Sequence, residues 1–149
     1  MTEAVLNMMT MFPPLAPPLQ AVRLAAEDPF QISYQESRVF TASREELVLM
    51  LYDGALKFTN RGLEALRNGD RPAMNYNLLR AQKIVHYLDM SLNMQQGEEV
   101  AKNLARLYDF IKRRLGECQR SQEREPGEEA LSILKHMRET WQQAFELKR

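Results

Sequence analysis

Residues 34–58 read YQESRVFTASREELVLMLYDGALKF. The stretch joins a helix start to a helix body that is more apolar than one core requires. Successive side chains step about 100° around a helix axis. On that projection Leu47, Val48, Leu49, Leu51, Tyr52, Ala55, Leu56, Phe58 and Leu63 sweep an arc of about 220°. Asp53, Lys57, Asn60, Arg61 and Glu64 crowd the remaining strip, shared only with Met50. A helix docked on a single core needs an apolar stripe only a little wider than about 100°. The surplus has to be covered, either by more of this chain or by a partner.

Working outward, each helix boundary has a chemical cause. Ser43 and Glu46 form a capping box at the start of the first helix, with Glu45 and Glu46 favouring its positive end. Asn68-Gly69 closes it. Asp70 caps the second helix, with Pro72 in its first turn. The pattern predicts that this helix runs to Gln96 and stops at Gly97. A third helix is predicted over about 98–120. The polar exit SQEREPGEE at 121–129 leads into a fourth helix that reaches about Leu147.

Each helix carries a core stripe at spacings of three and four. The second offers Met74, Leu78, Ala81, Val85, Leu88 and Leu92. The third offers Val100, Leu104, Leu107, Ile111, Leu115 and Cys118, and the fourth Ala130, Ile133, Leu134, Met137, Trp141, Ala144 and Phe145. No run shows strand alternation, and short links favour antiparallel neighbours. The predicted fold is all-α: an antiparallel up-down-up-down four-helix bundle with an N-terminal cap segment. Gly54 and Gly62, inside the first helix, are expected to let a neighbouring backbone come close.

The second helix repeats the anomaly of the first. Opposite its core stripe lie Tyr76, Leu79, Tyr87, Met90 and Met94. A bundle helix buried on one side is expected to be polar on the other. Two readings are open. Half-exposed tyrosine and methionine are ordinary, and the N-terminal segment would cover the rest. Alternatively, these residues, with Val48, Tyr52 and Leu56 of the first helix, line an apolar groove for a partner's amphipathic segment.

Composition narrows the function classes. The chain has 20 basic and 20 acidic residues and a net charge of zero. No long-range field would draw it to nucleic acid or an anionic membrane. Lys112-Arg113-Arg114 reads as a solvated face. With a single cysteine, Cys118, no internal disulfide is possible, which fits a reducing compartment, and its place on a core stripe reads as a small buried core residue rather than a nucleophile. No apolar run approaches the roughly 20 residues of a membrane span, so no membrane insertion is expected. No Lys or Arg precedes Arg23, against a secretory signal, so a cytoplasmic location is expected. His86 and His136 stand in no di-metal or zinc spacing, and no phosphate-binding glycine loop is present. Asp53 and Glu64 read as a solvated helix face. The expectation is a non-enzyme with no cofactor and no metal.

Residues 1–30 differ from the remainder. Five of the 7 prolines fall there. MTEAVLNMMTMF, residues 1–12, is apolar and Met-rich, and PPLAPP is stiff and extended. They read as an extension to a bundle domain over 31–149. Its early methionines are either apolar filler or a layer against the exposed stripe.

Four segments in register carry a family resemblance. They are DPFQISYQESRVFTASREELVLMLYDGALKF at 28–58, NLLRAQKIVHYLDMSLN at 77–93, NLARLYDFIKRRL at 103–115 and MRETWQQA at 137–144, which contains Trp141. Together they resemble the flagellar export chaperone family FliS. Arg44 stands where that family often has proline, one extra residue lies between Pro29 and Tyr34, and residues 1–27 have no counterpart in the family's short start. The resemblance implies a bundle that holds the C-terminal part of flagellin, blocks its premature polymerisation and brings it to the type III export gate. It also implies that a segment around Ile32, Tyr34 and Val39 folds over the bundle and moves when the client binds. A regulatory adaptor contacting other flagellar export or assembly factors is the alternative.

Overall fold

The structure, a computed structural model, describes residues 44–92 and 94–148. Among these residues there are four helices and no strand: α1 (Arg44–Arg67), α2 (Arg71–Met90), α3 (Met94–Ser121) and α4 (Arg124–Lys148). α1 packs on α2 and α4, and α3 closes the ring by packing on the same two helices. This is the all-α four-helix bundle that the periodicity predicts. The Ser43 cap and the candidate cap residues Ile32, Tyr34 and Val39 lie outside the described residues.

The α1–α2 turn follows its chemistry. Gly69 adopts φ 74°, the left-handed conformation that glycine enters without steric penalty. The Asp70 amide then reaches back to the Ala65 carbonyl at 2.9 Å, and the Gly69 amide to Leu66 at 3.1 Å. These bonds satisfy carbonyls that the helix end would leave open. Asp70 Oδ1 accepts from the Ala73 amide at 3.2 Å, capping α2 as expected.

The second boundary differs from the sequence expectation. α2 ends at Met90, not Gln96, and α3 begins at Met94, taking in Gly97. Ser91 supplies the reason. Its hydroxyl donates to the Tyr87 carbonyl at 2.7 Å, and its amide bonds both Tyr87 and Leu88. The Leu92 amide turns to Asp89 at 3.2 Å, a tighter i→i−3 closure. Serine and asparagine compete with the helix ladder for such bonds. Gly97 falls in the first turn of α3, where glycine needs no positive φ. At the α3–α4 turn the left-handed position is held by Gln122, at φ 57°.

The core fills from all four helices, and its widest fully buried side chains include Trp141, Tyr52, Tyr108 and Phe58. Two glycines set helix spacing. A Cβ on Gly62 would lie 2.5 Å from Leu78 Cδ2, and one on Gly127 would lie 2.7 Å from Leu63 Cδ2 and 3.0 Å from Cys118 Sγ. Close approach of α1 to α2 at Gly62 is therefore a packing requirement. Gly54 is buried as well. Cys118 is a core residue whose thiol burial pushes to a higher pKa, which makes the thiolate scarcer.

One core position of α3 differs from the expected stripe. Leu107 is 39% exposed, and Tyr108 takes the core in its place. Both positions satisfy helical spacing from Leu104 and Ile111. Tyr108 wins because a buried partner waits for its hydroxyl: Tyr52 Oη lies 2.5 Å away, and Trp141 Nε1 donates to that same Tyr52 oxygen at 3.1 Å. The three side chains tie α1, α3 and α4 together inside the bundle. Ile84, fully buried on α2, also belongs to the core, although the stripe expected for that helix omits it.

Candidate functional site

The outward side of α2 is the candidate. Tyr76 is 57% exposed, Leu79 46% and Met90 72%. At about 100° per residue these three fall within about 60° of one another, roughly opposite the buried Met74, Leu78, Ala81 and Leu88. Lys83 is exposed on the same line, four residues beyond Leu79. The face is therefore an apolar row with one cation in its middle.

Its two flanks are built differently. Towards α1, Arg80 lies over the Phe58 ring at 4.6 Å and over the Tyr76 ring at 5.8 Å, and its Nη1 donates to the Tyr76 hydroxyl at 2.9 Å. Lys57 covers the Phe58 ring at 4.8 Å. Desolvation, with the nearby Arg80 charge, lowers the Lys57 pKa. These cations hold an aromatic edge by stacking, an arrangement that tolerates partial exposure. Towards α3 the flank is polar. Lys112 Nζ bridges Asp89 Oδ2 at 3.2 Å and His86 Nδ1 at 3.4 Å. Gln82 Nε2 donates to Gln119 Oε1 at 2.6 Å, and Gln119 Nε2 donates to the Asn75 carbonyl at 3.2 Å.

Tyr87 sits at the edge of this face. Its side chain is 9% exposed, and its hydroxyl oxygen is buried with no hydrogen-bond partner among the described residues. Desolvation raises its pKa, so the neutral hydroxyl is kept. An orphaned buried hydroxyl costs about 1–3 kcal/mol relative to a paired one. It is a donor and acceptor waiting beside an exposed apolar row.

The structure redistributes the other residues expected in the groove. Val48 and Tyr52 are core residues, not groove lining. α1 packs on both α2 and α4, and the Tyr52 hydroxyl is held inward by Tyr108 and Trp141, so most of its wide apolar arc is used inside the bundle. Leu56 is half-buried and packs against the core. Met94 does not continue the α2 stripe, because α2 has ended; it opens α3, and its side chain lies outside the described residues. Tyr76, Leu79 and Met90 thus form one row, with Tyr87 at its margin. Lys83 is not among the residues expected on this face, because a single lysine in an apolar row reads as a break rather than a member. Its four-residue spacing from Leu79 was the available signal.

Among the described residues, no group of three or more His, Cys, Asp or Glu stands close enough to hold a metal ion. Asp53 pairs with Arg138 across α1 and α4, at 2.7 Å to Nε and 3.4 Å to Nη2. That pair raises the Arg138 pKa and pins the rim. No described helix is long and apolar enough to cross a membrane.

Comparison with known proteins gives this bundle relatives. The family described as "Flagellar protein FliS" matches residues 26–148. The flagellar secretion chaperone FliS of Bacillus subtilis (strain 168) is 32% identical over 126 residues, which is 85% of this chain and 92% of that protein. This chain belongs to the FliS family. The FliS of Salmonella typhimurium is 35% identical over 109 residues, covering 72% of this chain and 81% of its own length. The FliS of Vibrio cholerae serotype O1 is 28% identical over 108 residues, covering 72% and 79%. The family is one of flagellar secretion chaperones, so the α2 row belongs to a protein class whose work is binding other chains. The matched range starts at residue 26 and leaves residues 1–25 outside it.

Proposed function

We propose that this protein is a cytoplasmic export chaperone for flagellin. It binds the client's C-terminal region, keeps it from polymerising early and delivers it to the flagellar type III export apparatus. The single observation that carries this reading is the exposed Tyr76–Leu79–Met90 row on a bundle of the FliS family. An exposed apolar row of this kind suits an amphipathic segment laid along a helix. Apolar burial there contributes about 25 cal/mol per Å² before the client's ordering cost is subtracted. Tyr87 adds a hydroxyl that has no partner among the described residues and that a client backbone carbonyl or amide can meet.

Holding a segment this way requires no cofactor and no bond-making step. Release follows from competition at the row or from docking at the export gate. Isothermal titration with a peptide from the C-terminal end of flagellin tests the reading. The expected outcome is a 1:1 complex with a negative heat-capacity change. No heat and no co-elution at tens of micromolar would sink it. Binding to other flagellar export factors without flagellin would make the protein a regulatory adaptor instead.

A further inference from the structure

We propose that the α1 edge of the α2 row is a cationic seat that selects an acidic amphipathic segment. A client carboxylate docks beside Arg80 and Lys57 while the client's apolar side covers Leu79 and Met90. The inference rests on the preceding reading in treating the row as the docking face, and it adds the charge and the orientation of what docks.

Three observations carry it. First, two cations are gathered on one ring. Arg80 lies 4.6 Å and Lys57 4.8 Å from the Phe58 ring centroid. Their charges are therefore no more than about 10 Å apart, within one Debye length at about 0.1 M salt. Lys83 adds an exposed third cation on the line of the row. Second, the guanidinium is already oriented. Arg80 also lies over the Tyr76 ring at 5.8 Å, and its Nη1 donates to the Tyr76 hydroxyl at 2.9 Å. Stacking engages the face of a guanidinium, while its hydrogen bonds leave through the edge. A carboxylate arriving at that edge orders little that is not already ordered. Third, the local balance is positive although the chain's net charge is zero. Within 71–90, α2 carries Arg71, Arg80 and Lys83 against a single acid, Asp89. Asp89 pairs with Lys112 of α3 at 3.2 Å, and Asp53 of α1 pairs with Arg138 of α4 at 2.7 Å.

The opposite flank fixes the orientation. Towards α3, Lys112 is matched by Asp89, and Gln82 donates to Gln119. A segment lying on the row therefore places its acidic edge over α1 and its uncharged edge over α3. Eleven helical residues from Leu79 to Met90 cover about 16 Å, so a helical client meets both with anchors about eleven residues apart. Burial, and then the Arg80 charge, lower the Lys57 pKa. An arriving carboxylate relieves the second of these.

Binding of designed peptides to the full chain tests the proposal. Two helical peptides of about 18 residues, long enough to span the row, share one Leu/Met face. One carries Glu and the other Lys along the polar edge. Isothermal titration at about 50 mM salt is expected to give the Glu peptide a Kd at least about 5-fold tighter. At about 500 mM salt the difference should shrink below about 2-fold. Equal affinities at low salt, tighter binding of the Lys peptide, or no binding of either peptide would overturn the proposal. Lys57→Gln/Arg80→Gln, checked for helix content by circular dichroism, locates the seat. It is expected to lose the preference for Glu. Lys102→Gln/Arg106→Gln, which removes two exposed cations from α3, is expected to keep it. A preference kept by the first variant, or lost equally in both, would overturn the assignment to Arg80 and Lys57. If the helix content of the double variant falls, Lys57→Gln alone is read in its place and should lower the preference at least about 2-fold. The flagellin reading is judged separately. If a flagellin C-terminal peptide gives no heat while the Glu peptide binds with this preference, the flagellin reading fails and the cationic seat stands.

Discussion

Two regions of this bundle use the same residue type in opposite ways. In the interior seam of α1, α3 and α4, Tyr52 and Tyr108 share a hydrogen bond, and Trp141 donates into it. On the outer side of α2, Tyr76 is more than half exposed and Tyr87 keeps a buried hydroxyl without a partner among the described residues. The first region is complete within the chain. The second has apolar area and a polar group that the described fold leaves unmatched. Completion marks what folds the protein, and incompletion marks the face on which the proposed client would dock.

The largest expected effect lies in the seam. Trp141→Ala removes the biggest buried side chain, its contact with Phe145 at 5.5 Å between ring centroids, and the donor to Tyr52. A loss of about 3–5 kcal/mol in chemical denaturation is expected. That would take a large part of a small domain's stability. A loss under about 1 kcal/mol would break the comparison, because the seam would then not be holding the bundle.

The seam also predicts an alkaline limit. Burial raises the pKa of both Tyr52 and Tyr108 above the ordinary value near 10, and their mutual hydrogen bond and proximity raise Tyr108 further. In the unfolded chain both ionise near pH 10, while the fold keeps both protons. The unfolded state therefore binds fewer protons above that pH, and stability falls as pH rises. Below about pH 10 the contribution is fully present. Above it the loss is about 1.4 kcal/mol per group per pH unit until the folded pKa is reached. Denaturant midpoints measured between pH 8 and 11 on the wild type and on Tyr108→Phe should diverge in slope, with the wild type falling more steeply. Parallel slopes would show that Tyr108 ionises in the folded state.

On the α2 row the expected effect is on binding instead. Leu79→Glu/Met90→Glu places two charges on exposed positions. Stability is expected to change by no more than about 0.5 kcal/mol per site. Affinity for a flagellin C-terminal peptide is expected to fall at least about 10-fold, equivalent to about 1.4 kcal/mol. Circular dichroism and titration on the same sample read both quantities. Unfolding without a charge-specific loss of binding would place the row inside the fold.

Much of this division was legible in the sequence, and the failures have physical causes. Asp70 and Gly69 declare their turn because cap and left-handed chemistry strongly favour those residue types. Tyr76, Leu79 and Met90 were visible as a second stripe because the core stripe of α2 lies opposite. Val48 and Tyr52 were misplaced because periodicity reports that a face is apolar but not how many neighbours meet it. α1 meets two helices, and the Tyr52 hydroxyl finds Tyr108 fifty-six residues away. The choice between Leu107 and Tyr108 fails for the same reason, since the deciding partner is remote in sequence. The end of α2 was misread because Gly97 looked like a stop, while Ser91 had already diverted the backbone bonds.

The smallest expected effect, that of Tyr87→Phe, separates the two regions most sharply when it is set beside Tyr108→Phe. Tyr108→Phe takes a hydroxyl from a completed network and leaves Tyr52 with one partner fewer in a buried site. A loss of about 1–3 kcal/mol is expected. Tyr87→Phe takes away a buried hydroxyl that has no partner among the described residues, so its desolvation cost disappears with it. The free protein is expected to be unchanged or more stable by up to about 1 kcal/mol. The same substitution should weaken client binding by a few-fold if an incoming backbone group meets that hydroxyl. Thermal melts of the two phenylalanine variants, followed by peptide titration of Tyr87→Phe, give both signs. If Tyr87→Phe destabilises the free protein as much as Tyr108→Phe, its hydroxyl is satisfied in solution, and the margin of the α2 row is closed by the chain itself.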